Sequence, residues 1–131
     1  MNADKISETI SRVLEQYDGE LVFAYLFGSA ATDSTGPLSD IDIAIYIQDD
    51  LKKSFYDLKL SVHADMCRAL GRNDIDIVVL NITTNLILLD EIVRNGIVLF
   101  DKDSTAREEF ELKVQHEAID FRQQRKALMD I

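Results

Sequence analysis

The sequence has few of the residues that build disulfides or zinc sites. Among its 131 residues it has one cysteine, Cys67, and two histidines, His63 and His116. One cysteine cannot form an internal disulfide, and one thiol with two imidazoles is not a credible zinc set. We interpret Cys67 as a small buried hydrophobe, His63 as a structural residue of a helix and His116 as an exposed polar residue. These counts argue against disulfide-stabilised and zinc-dependent proteins.

Proline and long apolar runs are also scarce. Pro37 is the single proline, and no stretch approaches the roughly 20 apolar residues that a membrane helix needs. The opening MNADKISETI lacks the basic segment and apolar run of a secretion signal. We therefore expect a cytoplasmic protein without a membrane segment. Its length predicts one domain over 1–131, with a core over about 1–100 and a helix over about 104–129.

Positive charge is in short supply, with 14 Lys and Arg against 24 Asp and Glu and a formal net charge of -10. Neutralising phosphates needs a basic surface, so this balance argues against direct, stable binding to nucleic acid. The acidity favours cations and basic partners. It also serves simply to keep a small protein in solution, and charge alone favours that second explanation.

Hydrophobic periodicity predicts four helices and four strands. The predicted helices cover about 6–17, 51–70, 83–96 and 104–129, and the predicted strands cover 20–27, 39–47, 74–81 and 97–100. This order indicates an α/β (α+β) domain with a small mixed sheet flanked by helices. The helix over 51–70 is a crossover, so the strands on either side of it should be parallel. Ser104 or Thr105 should cap the last helix, with Glu108 completing a capping box.

The segment SDIDIAIYI, residues 39–47, places two carboxylates where burial should begin. Alternation along a strand puts Asp40 and Asp42 on one face and four isoleucines on the other. Two adjacent desolvated carboxylates are costly unless a cation or hydrogen-bond donors neutralise them. Asp76 has the same phase in the segment NDIDIVVLN, residues 73–81. Parallel pairing of the two strands can therefore bring Asp76 beside Asp40 and Asp42.

An Asp-x-Asp pattern alone is weak evidence, because this chain has it at 40/42, 74/76 and 101/103. Aspartate often only precedes a strand or a helix at a turn, and we assign that role to Asp74 and to the pair at 101/103. The joint pattern is more specific. It comprises a strand that ends in Gly28 and Ser29, a polar loop or short helical turn over 28–39, and a strand that opens with two carboxylates.

This joint pattern has the physical logic of metal-dependent phosphoryl or nucleotidyl transfer. Gly28 lets the backbone approach a phosphate, and Ser29 adds a hydroxyl together with backbone N–H groups. Magnesium prefers carboxylate and phosphate oxygens. Asp40 and Asp42, with Asp76 as a third carboxylate, would suit two metal ions, one activating the attacking hydroxyl and one holding the triphosphate.

The segments LFGSAATDSTGPLSDIDIAIYI and NDIDIVVLN resemble the nucleotidyltransferase superfamily of the DNA polymerase β type. The resemblance is closest to its minimal stand-alone branch, the MNT-type antitoxins encoded beside HEPN-domain toxins. It implies a mixed sheet flanked by helices that binds a nucleoside triphosphate with two Mg²⁺ ions. It further implies that Gly28 and Ser29 contact the triphosphate, that Asp40 and Asp42 bind the metals and nucleotide, and that Asp76 helps to deprotonate the acceptor.

The antitoxin branch implies transfer of AMP from ATP to a tyrosine hydroxyl of a partner HEPN toxin, an RNA-cleaving protein that is thereby silenced. Two alternatives remain open: a non-catalytic antitoxin that occludes the toxin, and a small-molecule nucleotidyltransferase, which usually carries a further substrate domain. An apolar stripe on the last helix is equally compatible with a core face and with a partner-binding face. Its members are Phe110, Val114, Ala118, Phe121 and Leu128.

The chain departs from many relatives directly after Ser29. Those relatives often carry a basic or amide residue there, often followed by glycine, which contacts phosphate. This chain instead has Ala30, Ala31, Thr32 and Asp33. The sequence offers four basic residues as substitutes and does not choose among them: Lys52, Lys53, Arg68 and Arg72.

Overall fold

The computed structural model describes residues 3–31 and 40–129, and in these ranges the predicted order of four helices and four strands is confirmed. The helices are α1 (Ala3–Glu15), α2 (Phe55–Leu70), α3 (Leu86–Asn95) and α4 (Ser104–Met129). The strands are β1 (Leu21–Phe27), β2 (Ile41–Ile47), β3 (Ile75–Val79) and β4 (Ile97–Asp101). The loop predicted over 28–39 begins with a 3-10 turn at Gly28–Ala30, and its residues 32–39 lie outside the described residues.

Three helix starts and one helix cap differ from the prediction. α1 begins at Ala3 rather than at about 6, and α3 begins at Leu86 rather than at about 83. The segment Asp49–Ser54 forms 3-10 turns with a kink at Leu51, so α2 begins at Phe55 rather than at 51. The predicted cap of α4 is also wrong. The N–H of Ala106 donates to Asp103 Oδ1 at 3.1 Å, which makes Asp103 the capping residue.

The two carboxylates beside Ser104 have separate partners, which accounts for the different cap of α4. The hydroxyl of Ser104 donates to Asp101 Oδ2 at 2.9 Å. The Ser104 side chain therefore bonds to the last residue of β4 and not to a backbone N–H at the start of α4. Aspartate is at least as good an N-cap as serine or threonine. Asp101 and Asp103 therefore flank the predicted polar turn, and Asp103 itself caps α4.

The four strands form one sheet in the order β3-β2-β1-β4. β2 pairs with β3 in parallel, as the crossover predicts, and β1 pairs antiparallel with both β2 and β4. In this register Asp42 lies opposite Asp76 on one side and opposite Phe27 on the other. The end of β1 and the starts of β2 and β3 therefore meet at one end of the sheet.

Both faces of the sheet are covered. The four isoleucines of β2 are buried and pack with apolar residues of α1 and α2, as the alternation predicts. On the other face Ala44 and the half-buried Tyr46 pack with residues of α3 and α4. All seven residues of β1 are buried, which accounts for its uninterrupted apolar sequence.

A hydrogen-bonded network fixes the first half of α4 to the sheet. Tyr25, which is 1% exposed, donates from its hydroxyl to Glu111 Oε2 at 2.7 Å. Burial, together with the neighbouring Glu111 carboxylate, raises the pKa of Tyr25, so the hydroxyl remains a donor. Arg107 pairs with Glu111 at 3.0 Å and with Asp101 at 2.9 Å. The network thus joins β1, β4 and α4.

The apolar stripe of α4 divides into two halves. Val114 and Ala118 are buried and the half-buried Phe110 packs against the sheet, whereas Phe121 is 37% exposed and Leu128 is 73% exposed. The stripe therefore faces the core in its first half and leaves the core in its second half. None of the helices in 3–31 and 40–129 is long and apolar enough to span a membrane.

Asn81 completes the hydrogen bonding of β2 beyond the end of β3. Its Oδ1 accepts from the N–H of Ile47 at 2.9 Å, and its Nδ2 donates to the carbonyl of Ile47 at 2.7 Å. Because β3 ends at Val79, this side-chain amide replaces a backbone partner that the shorter strand does not supply. The sequence showed no pattern that predicts this contact.

Candidate active site

The predicted site residues come together where β1 ends and where β2 and β3 begin. Gly28 follows β1 directly, and Asp42 and Asp76 are each the second residue of their strand. Asp42 and Asp76 are register partners across the parallel pair. Asp40 lies one residue before β2 and is exposed. This arrangement agrees with the prediction that parallel pairing brings Asp76 close to Asp40 and Asp42.

Gly28 lies directly against the carboxylate of Asp42. Its φ of 73° is in the left-handed region, which residues with a Cβ rarely adopt. A Cβ added to Gly28 would lie 2.4 Å from Asp42 Oδ2. The backbone conformation therefore favours glycine, and a side chain at this position would displace the Asp42 carboxylate.

The turn after Gly28 shows what the departure from the relatives' pattern means structurally. The N–H of Ala31 donates to the carbonyl of Gly28 at 3.2 Å, which closes a single 3-10 turn. Ala30 is 4% exposed and belongs to the core cluster, against which Ala31 packs. These two alanines face the core. Ser29 is half-buried, and its contact with nucleotide stays a prediction.

The three carboxylates influence one another electrostatically. Asp42 is half-buried, and burial raises its pKa, with further contributions from the negative charges of Asp76 and Asp40. Asp76 is exposed, like Asp40. Repulsion of this kind is relieved when a cation binds among the carboxylates.

The chemistry of these donors fits a hard cation. Carboxylate oxygens suit Mg²⁺, which commonly takes one or two protein carboxylates and completes its shell with substrate phosphates and water. Within 3–31 and 40–129, no group of three or more His, Cys, Asp or Glu side chains is arranged to hold a metal ion by itself. The protein therefore offers carboxylates that fit Mg²⁺ together with phosphate oxygens.

Arg72 borders this end of the sheet. It forms two hydrogen bonds with the Asp74 carboxylate, from Nε to Oδ1 at 2.7 Å and from Nη2 to Oδ2 at 2.5 Å. The carbonyl of Asp74 accepts from the N–H of Ile41 at 3.0 Å. The segment that carries Arg72 is therefore hydrogen-bonded to the residue next to Asp40. Asp74 was predicted to lie at a turn, but its ion pair with Arg72 was not predicted.

The other proposed substitutes differ from Arg72. Arg68 pairs with Asp65 on the same helix, and its side chain is 76% exposed. The side chains of Lys52 and Lys53 lie outside the part of the chain that the structure describes. Of the two arginines proposed as substitutes, Arg72 is the one whose segment is hydrogen-bonded to the start of β2.

The histidines and the cysteine belong to helices. His63 and Cys67 are both half-buried on α2, with 3.7 Å between His63 Nε2 and Cys67 Sγ. Cys67 packs against the core cluster, although it is less buried than predicted. His116 is exposed, as predicted.

Sequence comparison identifies one matching family. The sequence profile of the family described as Polymerase beta, Nucleotidyltransferase matches residues 8–105. No protein with a curated description matches the chain significantly.

Several solved structures with a similar chain are toxin–antitoxin complexes. A chain of a toxin–antitoxin complex with AMP-PNP is 26% identical over 95% of this chain and 95% of that chain, with a TM-score of 0.76. A chain of an MntA–HpeT pair, in which two aspartates separated by one residue are changed to glutamate, is 25% identical over 99% of this chain and 97% of that chain, with a TM-score of 0.76. A third structure is the complex of a tri-AMPylated Shewanella oneidensis HEPN toxin with an MNT antitoxin. One of its chains is 24% identical over 98% of this chain and 96% of that chain, with a TM-score of 0.72, and at this identity the likeness shows the fold alone.

We expect Gly28→Ala to destabilise the fold more than Gly71→Ala. Both glycines have positive φ, so each alanine costs about 1–2 kcal/mol for its backbone conformation. Around Gly71 no described atom lies within 4 Å of the added Cβ, whereas at Gly28 the Cβ meets Asp42. Urea unfolding of both variants measures the difference. Equal losses would show that the Asp42 contact does not constrain residue 28.

We expect Asp42→Asn to raise the free energy of unfolding at neutral pH in the absence of Mg²⁺ and nucleotide. The folded-state pKa of Asp42 lies above its ordinary value of 3.8, so its ionisation destabilises the fold as pH rises through this range. Well below pH 3.8 the carboxyl is protonated in both states, so the advantage of the variant should vanish. Urea unfolding at both pH values tests this, with the exposed Asp120→Asn as control. A variant less stable than the wild type at neutral pH would contradict it.

Proposed function

Because the chain belongs to the polymerase beta nucleotidyltransferase family, we propose that it is an antitoxin that transfers AMP from ATP to a tyrosine hydroxyl of a partner HEPN ribonuclease toxin and so neutralises it. The meeting of Gly28, Asp42 and Asp76 at one end of the sheet carries the proposal. Similarity to a chain of a toxin–antitoxin complex with AMP-PNP supports both the partner and the nucleotide. The AMPylated HEPN toxin in the third complex illustrates the modification that we propose.

The three carboxylates would have different roles in the reaction. Asp40 and Asp42 would bind two Mg²⁺ ions together with substrate phosphates, with Asp76 as the third carboxylate. When bound, the metal ions supply positive charge that offsets the charge of the phosphates and of the attacking oxygen. The carboxylates repel one another in the free protein, so part of the binding free energy of a divalent cation comes from relief of that repulsion.

The transfer itself is an in-line substitution at the α-phosphorus of ATP. The tyrosine oxygen forms the new P–O bond while the bond to the β-phosphate bridging oxygen breaks, and pyrophosphate leaves. Asp76 is exposed at the mouth of the site and would accept the hydroxyl proton. Gly28 and Ser29 would position the triphosphate, so that orientation contributes much of the rate.

The exposed second half of α4 supports a protein partner. We define the α4 tail surface as residues 119–129, all of which are exposed. It combines apolar Phe121 and Leu128 with three basic residues in a chain of net charge -10. Beside it lies a hollow of about 230 Å³ between α3 and α4, lined in part by Ile87, which is 64% exposed. We assign this surface to toxin binding, which also suits the alternative of inhibition by occlusion.

We expect labelled ATP and Mg²⁺ to label a HEPN toxin encoded beside this gene when the chain is added. Asp40→Asn with Asp42→Asn should abolish labelling, because the metal ligands are lost, and Asp57→Asn on the exposed side of α2 should not. Equal labelling by the double variant would contradict the proposed site. A double variant that protects cells from the toxin without labelling it would favour occlusion instead.

We expect Phe121→Ser with Leu128→Ser to weaken toxin binding by about tenfold or more, because apolar contact area is lost. Leu128 is 73% exposed but Phe121 is only 37% exposed, so urea unfolding of the free double variant is measured alongside to confirm that it remains folded. Leu60→Ser on α2, where Leu60 is 49% exposed, is the matched control. Calorimetric titration with toxin gives the affinities. Unchanged affinity in the double variant would show that the α4 tail surface is not the contact.

A further inference from the structure

The candidate site has an excess of negative charge for a protein that binds a nucleotide. Asp40, Asp42 and Asp76 all lie at the end of the sheet where the triphosphate would bind. Ala30 and Ala31 pack toward the core, so this part of the turn supplies no cation. A positively charged phosphate contact would therefore come from another segment that reaches the same end of the sheet.

The turn between α2 and β3 is such a segment. Gly71 ends α2 in the left-handed conformation, and the N–H of Arg72 donates to the carbonyl of Cys67 at 3.2 Å. β3 then begins three residues after Arg72, hydrogen-bonded to the start of β2. Because the strands are parallel, this turn reaches the sheet at the same end as Asp40.

The Arg72 side chain is held in a fixed orientation at this place. The hydrogen bonds with Asp74 raise the pKa of the Arg72 guanidinium, and the charge of Asp40 raises it further. The side chain is 25% exposed, and two of its nitrogens are bonded to one carboxylate. A planar guanidinium presents five N–H donors, so one oriented by a carboxylate can also bind a phosphate at a reduced entropic cost.

We propose that Arg72, oriented by Asp74, binds the phosphates of the nucleotide beside Asp40. Arg72 would thereby supply the positive charge that Ala30 and Ala31 do not supply. Arg72 is the phosphate-binding residue and Asp74 is a positioning residue. The inference rests on the proposed nucleotidyl transfer and extends it to a residue outside the Gly-Ser turn and the three carboxylates.

Equilibrium binding of ATP and of adenosine, each with Mg²⁺, tests the inference. Arg72→Gln should weaken ATP binding by about tenfold or more, since a charge-assisted hydrogen bond is lost, and should change adenosine binding much less. Arg68→Gln should leave both affinities unchanged, because Arg68 pairs with Asp65 instead. Asp74→Asn keeps the guanidinium but loosens its orientation, so we expect a smaller loss for ATP than Arg72→Gln causes.

Three results would overturn the inference: unchanged ATP affinity in Arg72→Gln, equal losses for ATP and adenosine, or a loss in Asp74→Asn as large as in Arg72→Gln. Arg72→Lys keeps the charge and one bond to Asp74, so it tests the inference if Arg72→Gln does not fold. We expect Arg72→Lys to retain part of the ATP affinity, and full retention would show that the bidentate geometry of arginine is not used.

The proposed function fails separately from this inference. A wild-type chain that binds ATP without labelling any toxin would contradict AMP transfer, while the ATP affinities still decide the role of Arg72. Normal labelling with an unchanged ATP affinity in Arg72→Gln would overturn the role of Arg72 alone. A wild-type chain that does not bind ATP would overturn both.

Discussion

The parallel pairing of β2 with β3 is the constraint on which the rest of the structure depends. It sets Asp42 opposite Asp76, and the antiparallel neighbour β1 brings Gly28 against Asp42. A slip of one residue in β2 would turn its carboxylates toward the core and its isoleucines toward the site. Burial of those isoleucines therefore fixes the register, and the register places the candidate site.

Stability and function make opposite demands at this end of the sheet. The buried face of β2 stabilises the fold. The carboxylate of Asp42 is half-buried, and burial together with the negative charges of Asp76 and Asp40 opposes its ionisation. A site that keeps negative charges together in the free protein favours the binding of cations. Gly28 also serves the site rather than the stability of the fold. Its left-handed conformation leaves space for the Asp42 carboxylate, and a glycine loses more conformational entropy on folding than other residues do.

The features that the sequence predicted are those that local patterns determine. Alternation gave the phase of Asp42 and Asp76, and the crossover rule gave their parallel pairing. Contacts between side chains could not be predicted from these patterns. Asp103 rather than a hydroxyl residue caps α4, Asn81 completes β2 from beyond β3, and Arg72 pairs with Asp74 across a turn. Each depends on which polar groups the fold brings together, and periodicity does not encode that.

The central claim is that the carboxylate end of the sheet binds a magnesium nucleotide. The most direct measurement is the thermal unfolding midpoint of the wild type and of Asp42→Asn, each with and without Mg²⁺ and a non-hydrolysable ATP analogue. Ligands that bind only the folded state raise the midpoint as their concentration exceeds the dissociation constant. We expect a clear rise for the wild type and little or none for Asp42→Asn. An equal rise in both proteins, or none in the wild type, would contradict the account.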